Sequence, residues 1–272
     1  MTAASLTSTQ SGRLKGRVAI VSGSTQGLGA DIARGMVEEG ACVTILGREE
    51  SAGERLASLL GESACFARTD ITDDFQIDRA VEVTLKKFGR LDFLVNNACI
   101  YADSGLASTR DEWTQLLDVN LVSAAIFAQR AVKVMQPGSV IINLGSTGGK
   151  FGALGRALYP ASKAALLQLT RNLAVELASA GIRVLTVSPA WTWSPSVEKL
   201  AHGSIELADR VAAKFHPIGR VGRGEEIAKV VTFLCSSDAS WMTGVDVPVD
   251  GGFSILGPDQ GVSPREWFNR LS

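Results

Sequence analysis

The chain has 272 residues, 46% hydrophobic and 20% charged, with 27 basic side chains against 28 acidic ones. A formal charge of −1 leaves no basic face for nucleic acid or a membrane surface. No apolar run approaches the ~20 residues of a bilayer-spanning helix, and the start, MTAASLTSTQSG, lacks the charged and apolar regions of a secretory signal. Residues 1–15 therefore read as a disordered lead-in, 16–255 as one domain and 256–272 as a C-terminal extension. Cys42, Cys65, Cys99 and Cys235 form no CxxC pair, and only His202 and His216 could join them, so no metal site is expected. Dispersed thiols beside a large core point to a reducing, cytoplasmic setting, with Cys42, Cys65 and Cys235 as small buried hydrophobes.

Strand and helix patterns alternate along the chain. Val18–Ser22 reads as a strand and Gly27–Glu39 as a helix. The pairs Cys42–Leu46 with Glu49–Leu60, and Ala64–Arg68 with Asp74–Phe88, repeat the scheme. Asp92–Asn96 precedes a long helical pattern, Asp111–Met135. Val140–Leu144 precedes a Gly-rich loop and a helix over Tyr159–Ala180. Arg183–Val187, a helix over Glu225–Ser236 and a last strand, Val245–Val249, complete the pattern. Short, continuously apolar strands are buried on both faces, and strands separated by helices form right-handed crossovers. The expected fold is a doubly wound, Rossmann-like parallel α/β sheet of about seven strands with helices on both faces. Asp111–Met135 and Tyr159–Ala180 are apolar over more than one face, which predicts a second buried side, against another subunit or within a thicker monomer core.

The stretch SGSTQGLG follows the first strand and opens the first helix. Glycine permits a tight turn with positive φ and removes side chains that would block a pyrophosphate, and the helix N-terminus offers free N–H groups. Gly23, Thr25, Gln26, Gly27, Leu28 and Gly29 are the candidate phosphate cradle. At the end of the second strand, where an acidic residue would hold a ribose 2′-hydroxyl, the chain has Gly47-Arg48. An arginine fork suits a 2′-phosphate, so NADP is favoured, with NAD as the alternative; Glu49 and Glu50 weaken that field.

A second group follows the fifth strand: Ser146, then Tyr159 and Lys163 in YPASK. Residues four apart share a helix face, and Pro160 suits a first turn. A phenol is a poor base near neutral pH, but an adjacent ammonium stabilises its phenolate and makes it a usable acid–base group.

Taken together with the glycine turn, RTDITD, VNNAC, LLDVNL, INLGS, YPASKAAL, VSPAWTWS and WMTGVDVPVDGG, the chain resembles the short-chain dehydrogenase/reductase family from about Gly16 to Gly252. The resemblance implies hydride transfer between a nicotinamide cofactor and an alcohol or carbonyl carbon, in a homotetramer or a homodimer. Tyr159 would be the general acid/base. Lys163 would hold the nicotinamide ribose, Ser146 the substrate oxygen, and Asn120 a water relaying protons. Asp70 and Ile71 would border the adenine, Asn97 and Ala98 the cofactor cleft, and Pro189, Thr192 and Ser194 the carboxamide side. Three departures stand out: Ser22 for threonine, Cys99 for glycine after Asn-Asn-Ala, and Ala190 for glycine after Pro189. Cys99 would crowd the cleft, and Ala190 would be strained if its φ were positive.

The loop after Asn97, Thr147–Leu158 and the lid after Pro189 are expected to wall the substrate pocket. Trp191 and Trp193 are either an aromatic wall, with Trp191 the candidate substrate contact, or packing for the lid. Lys150 and Arg156 either meet an anionic group or are solvated loop charges. For His202 and His216 a surface or helix-end role is expected. Two rivals stand beside the oxidoreductase reading: an epimerase or dehydratase on the same fold, and a non-catalytic dinucleotide sensor or scaffold. The first usually carries G-x-x-G-x-x-G and a longer C-terminal domain; the second would be expected to lose Ser146, Tyr159 or Lys163.

Overall fold

A computed structural model describes residues 12–257 and 259–272. Its seven strands are β1 (Val18–Val21), β2 (Cys42–Gly47), β3 (Ala64–Arg68), β4 (Phe93–Asn96), β5 (Val140–Leu144), β6 (Arg183–Pro189) and β7 (Asp246–Val249). They form one parallel sheet in the order β3-β2-β1-β4-β5-β6-β7. The order reverses between β1 and β4, which opens a crevice at their carboxyl ends, where such folds bind ligands.

The expected burial on both faces is present. In β1, Ala19 and Val21 join the core shared with α1 (Gly27–Glu38) and α9 (Gly224–Cys235), while Ile20 joins the core on the opposite face. That second core includes Ile77 of α3 (Asp74–Phe88) and Phe127 of α5 (Ser123–Ala131). Strand β5 divides likewise, with Ile142 on one side and Ile141 on the other. The edge strand β7 is only partly buried. The remaining helices are α2 (Glu50–Leu60), α4 (Arg110–Leu117), α6 (Leu158–Leu177), α7 (Pro195–Leu200), α8 (Ile205–Ala212) and α10 (Pro264–Leu271).

The long helix expected over Asp111–Met135 is divided and shorter. A capping box between Thr109 and Glu112 starts α4, a wide π-helical turn covers Asp118–Val122, and α5 ends at Ala131. Such a turn inserts one residue into the helical ladder and re-aims the side chains on it, here Asn120. The lid contains two helices, α7 and α8, capped by Ser194 and Ser204.

Residues 1–11 of the expected lead-in lie outside the described residues. Its last residues are packed: Leu14 is 1% exposed within the core and Arg13 pairs with Glu39, so the ordered unit begins before Gly16. In the extension, α10 is capped by Ser263 and buries none of its residues. Cys235 is buried and its thiol is pushed up to about 12 by burial, as a core hydrophobe's would be. Cys42 and Cys65 are only half-buried, because β2 and β3 lie toward the open edge of the sheet. Among the described residues no helix is long and apolar enough to cross a membrane.

Candidate active site

The turn from β1 into α1 has the geometry of a phosphate cradle. Gly23 has φ +60, and a Cβ there would stand 2.8 Å from Ala98 Cα. At Gly29 a Cβ would meet Asn97 Nδ2 at 2.5 Å and Ser24 Cα at 2.8 Å, so only glycine lets the helix start this close to the neighbouring strand. Gln26 is the N-cap of α1 and its side chain makes no capping bond, which leaves the first N–H groups of the helix free for an anion. Thr25 packs against Gly47, and Leu28 packs against the core. These residues fit a dinucleotide.

Several predicted residues hold this cradle together. Asn97 Nδ2 donates to the carbonyls of Ser22 and Gly23, at 2.9 and 3.0 Å, so its amide locks the turn. The Ser22 hydroxyl accepts from the N–H of Asn97 and of Ala98. The hydroxyl that remains in place of threonine's is thus engaged in the turn. The Asp70 carboxylate accepts from Thr72 N and Oγ1, which forms the bend after β3.

Arg48 is exposed at the end of β2, and its carbonyl accepts from Arg68 Nε at 3.4 Å. Arg68 also lies opposite Gly47 in the parallel register. This second cation was not singled out from the sequence; the registration of β3 against β2 is the signal that would have found it.

Tyr159 and Lys163 lie on one face of α6 and are 6% and 2% exposed. Lys163 Nζ donates to the Leu144 carbonyl at 2.7 Å and stands 5.7 Å from the Tyr159 ring centroid. Ser146 Oγ accepts from Gly148 N at 3.0 Å. A methyl placed on Gly148 would lie 3.3 Å from Ser146 Oγ and 3.6 Å from Tyr159 Cε1, so hydroxyl and phenol ring border one point. Asn120 reaches from the π-helical turn in two directions: Oδ1 accepts from Ile100 N at 2.8 Å, and Nδ2 donates to Ile100 O at 3.0 Å and Ser162 Oγ at 3.2 Å. A cavity of about 10 Å³, close to the room one water needs, is lined by Ser22, Ile71, Ala98, Asn120 and Lys163 among others. The glycine turn and the Tyr–Lys helix therefore meet at one crevice.

Beneath them runs a buried polar chain unnoticed in the sequence. Asn96 donates to Asn143, Asn143 to Thr170 and Thr186 to Thr170, at 2.8–2.9 Å, which pins α6 to the sheet. Asp103 holds the start of α6, accepting from the N–H of Gly105, Ala157 and Tyr159. Burial alone would raise this carboxyl, but those N–H groups outweigh it and hold it below the usual range.

The substrate side carries one unpredicted residue, Tyr101. Its ring stacks on Tyr159 at 4.9 Å and 28°. The neighbouring Cys99 and Tyr159 groups push its hydroxyl above a phenol's ordinary range. Trp191 is 43% exposed and packs on Phe215 and His216, while Trp193 joins the lid core. Thr192 pairs with Gly222, and Pro189 ends β6 opposite Val249. The Ser194 hydroxyl caps α7, which engages the group expected to face the carboxamide. Ala190 is not among the residues of positive φ, so its methyl brings no left-handed strain. His202 takes φ +50 between α7 and α8, a helix-end position. His216 takes the helix-end role but not at the surface: Nδ1 lies 3.1 Å from the carbonyl of Ala212, the last residue of α8, and the residue is 2% exposed, packed by Trp191 and Phe253. Among the described residues no group of three His, Cys, Asp or Glu side chains could hold a metal ion.

Known proteins resemble the chain over this whole arrangement. A family model described as Enoyl-(Acyl carrier protein) reductase matches residues 23–254. A 3-oxoacyl-(acyl-carrier-protein) reductase of Thermotoga maritima is 36% identical over 252 residues, 89% of this chain and 100% of that protein. Tropinone reductase-like 1 of Erythroxylum coca is 34% identical over 90% of this chain and 93% of its own length. Cis-4-hydroxycyclohexanecarboxylate dehydrogenase of Sinomonas cyclohexanicum is 34% identical over 88% and 97%. The solved structure of a short-chain dehydrogenase/reductase SDR:Glucose/ribitol dehydrogenase from Brucella melitensis aligns with a TM-score of 0.83 at 29% identity, covering 89% of this chain and 98% of that one.

Proposed function

This chain belongs to the short-chain dehydrogenase/reductase family of nicotinamide-dependent oxidoreductases, and from that premise we propose that it interconverts an alcohol and a carbonyl compound, using NADP in preference to NAD. The observation that supports this reading is that Ser146 and Lys163 lie beside the Tyr159 ring, while Lys163 shares a small cavity with Ser22, the first residue of the glycine turn. The nicotinamide, when bound, supplies or takes the hydride. Tyr159 gives the proton to the carbonyl oxygen, or removes it from the alcohol, at its hydroxyl. Lys163 holds the ribose and stabilises the phenolate, and Ser146 steadies the substrate oxygen. Asn120, bordering a water-sized cavity shared with Lys163, carries the proton onward. The free N–H groups at the start of α1 take the pyrophosphate, with Gly23, Thr25, Gln26, Gly27, Leu28 and Gly29 around it. Asp70, Ile71, Asn97 and Ala98 border the cofactor, and Pro189, Thr192 and Ser194 its carboxamide side. The names of the relatives, two reductases and a dehydrogenase of a cyclic alcohol, agree with this substrate class.

The preference for NADP rests on Arg48, reinforced by Arg68, at the ends of β2 and β3. Following NADPH absorbance at 340 nm against a panel of ketones tests the reaction. Cofactor binding without turnover on any of them would instead support a sensor. Arg48→Asp is expected to shift the NADP/NAD ratio of kcat/KM toward NAD by about tenfold, the effect of losing one charge-assisted contact. An unchanged ratio would remove Arg48 from this role.

The reading extends to assembly and location. The catalytic unit begins by Arg13 and Leu14, ahead of Gly16, and runs to about residue 255, with 256–272 as its extension. Val122, in the π-helical turn, and Val175, on α6, are 45% and 81% exposed on segments expected to be covered. A homotetramer, or a homodimer, would bury them, and sedimentation equilibrium should return one of these masses; a monomer would refute it. Free thiols throughout agree with a cytoplasmic setting.

A further inference from the structure

We propose that the substrate cleft recognises a carboxylate, and that Arg156 is the residue that holds it. This rests on the reading of Tyr159 as the proton carrier. It narrows the substrate to a ring-bearing keto acid or hydroxy acid.

Besides Lys163 itself, two cationic side chains, Lys150 and Arg156, lie on the segment between Ser146 and Tyr159. Lys163 is buried and committed to the Leu144 carbonyl. Lys150 pairs with Asp246 at 2.5 Å, and Asp246 also accepts from Ser188, so this charge ties the substrate loop to the edge of the sheet. Arg156 differs from both. It is exposed, and among the described residues no carboxylate lies within ion-pair distance of it and its guanidinium makes no hydrogen bond. Its guanidinium carbon stands 5.1 Å from the Tyr159 ring centroid. A stacked guanidinium uses its face on the ring and leaves the planar fork of N–H donors at its edge. That fork matches the two oxygens of a carboxylate.

One competing acid is Asp103, bound at the N–H of Ala157, the residue after Arg156. Its oxygens accept three backbone N–H groups, and it forms no ion pair with Arg156. The position of the reacting carbonyl is set by the Tyr159 hydroxyl and Ser146. A rigid ring would join that carbonyl to a carboxylate held by the cation over the same phenol. Tyr101, stacked on Tyr159 and 55% exposed, offers such a ring a flat face.

The test uses the full chain with NADPH and two probes of equal length, 4-acetylbenzoate and methyl 4-acetylbenzoate. The wild-type enzyme is expected to favour the acid, chiefly through KM. Arg156→Leu should lower kcat/KM for the acid about tenfold or more beyond any loss on the ester, and Arg156→Lys should recover part of the difference. Equal losses on acid and ester, with matching shifts in their pH profiles, would mean that Arg156 serves only the phenolate, and would overturn the proposal. So would a wild-type enzyme that reduces the ester and not the acid. If neither probe is reduced, benzoate binding to the NADP-saturated protein decides, measured by calorimetry. Affinity about tenfold weaker in a folded Arg156→Leu variant supports the carboxylate site, and equal affinity overturns it. The panel of neutral ketones judges the carbonyl chemistry separately.

Discussion

Tyr159→Phe is expected to lower kcat by about a hundredfold to ten-thousandfold, the range that a positioned acid–base group contributes. The substitution removes one oxygen and keeps the ring. The stacking with Tyr101 at 4.9 Å and the neighbourhood of Lys163 and Arg156 remain. The N–H of residue 159 still donates to Asp103, so the start of α6 should not move. The glycine turn is a separate element, and NADPH affinity, read by fluorescence titration, should stay near the wild-type value. Loss of turnover with intact binding separates proton transfer from cofactor docking. Wild-type rates in the variant would show that another group carries the proton, and the chemistry assigned to this crevice would have to be abandoned.

Asp92→Ala is expected to cost about 3 kcal/mol of stability and, in a chain of this size, to lower Tm by roughly 10 °C. Asp92 lies just before β4, at the opposite end of the sheet from the crevice. Its carboxylate is 2% exposed and accepts from Val18 N at 2.9 Å, Arg17 Nη1 at 2.7 Å, and Arg90 Nε and Nη2 at 2.7 and 2.6 Å. Both arginines are nearly half exposed, so water can take them over. The Val18 N–H cannot be rescued in this way, because Val18 is 3% exposed in a central strand, and an unsatisfied buried N–H costs about 1–3 kcal/mol. The remainder comes from the lost charge-assisted bonds. Asp92→Asn keeps one acceptor and should cost less than the alanine variant. Equal melting temperatures for wild type and Asp92→Ala would show that the two arginine contacts contribute nothing and that the strand N–H finds another partner.

Much of the architecture was legible because its signals are local. Ala64–Arg68, Asp74–Phe88 and Val140–Leu144 match their observed elements residue for residue, since a short apolar run or a capped amphipathic helix carries its own boundaries. Asp73 caps α3 and Gly89, at φ 79, ends it, both visible as residue types. The bounds of the lid helices were not legible because six- and eight-residue segments show too little periodicity, and their caps, Ser194 and Ser204, resemble ordinary loop serines. The π-helical turn was hidden for another reason. Asp118–Val122 has the composition of ordinary helix, and only the bonds from Asn120 to Ile100 and Ser162 reveal what the inserted residue is for.

From its residues alone, the chain determined an alternating α/β order, a glycine turn with the conformational freedom to accept a phosphate, and a tyrosine and lysine one helical turn apart. These follow from backbone sterics and from periodicity, which act over a few residues. The tertiary structure decided which polar groups are already engaged. Asn97, Ser194 and Lys150 have partners within the fold, while Arg156 stands over the Tyr159 ring with its donors unclaimed. It also brought Arg68 beside Arg48 and stacked Tyr101 on Tyr159. Such pairings depend on strand registration and on loops converging from distant parts of the chain. Hydrogen bonding and charge act across those few ångströms of space, whatever the separation in sequence.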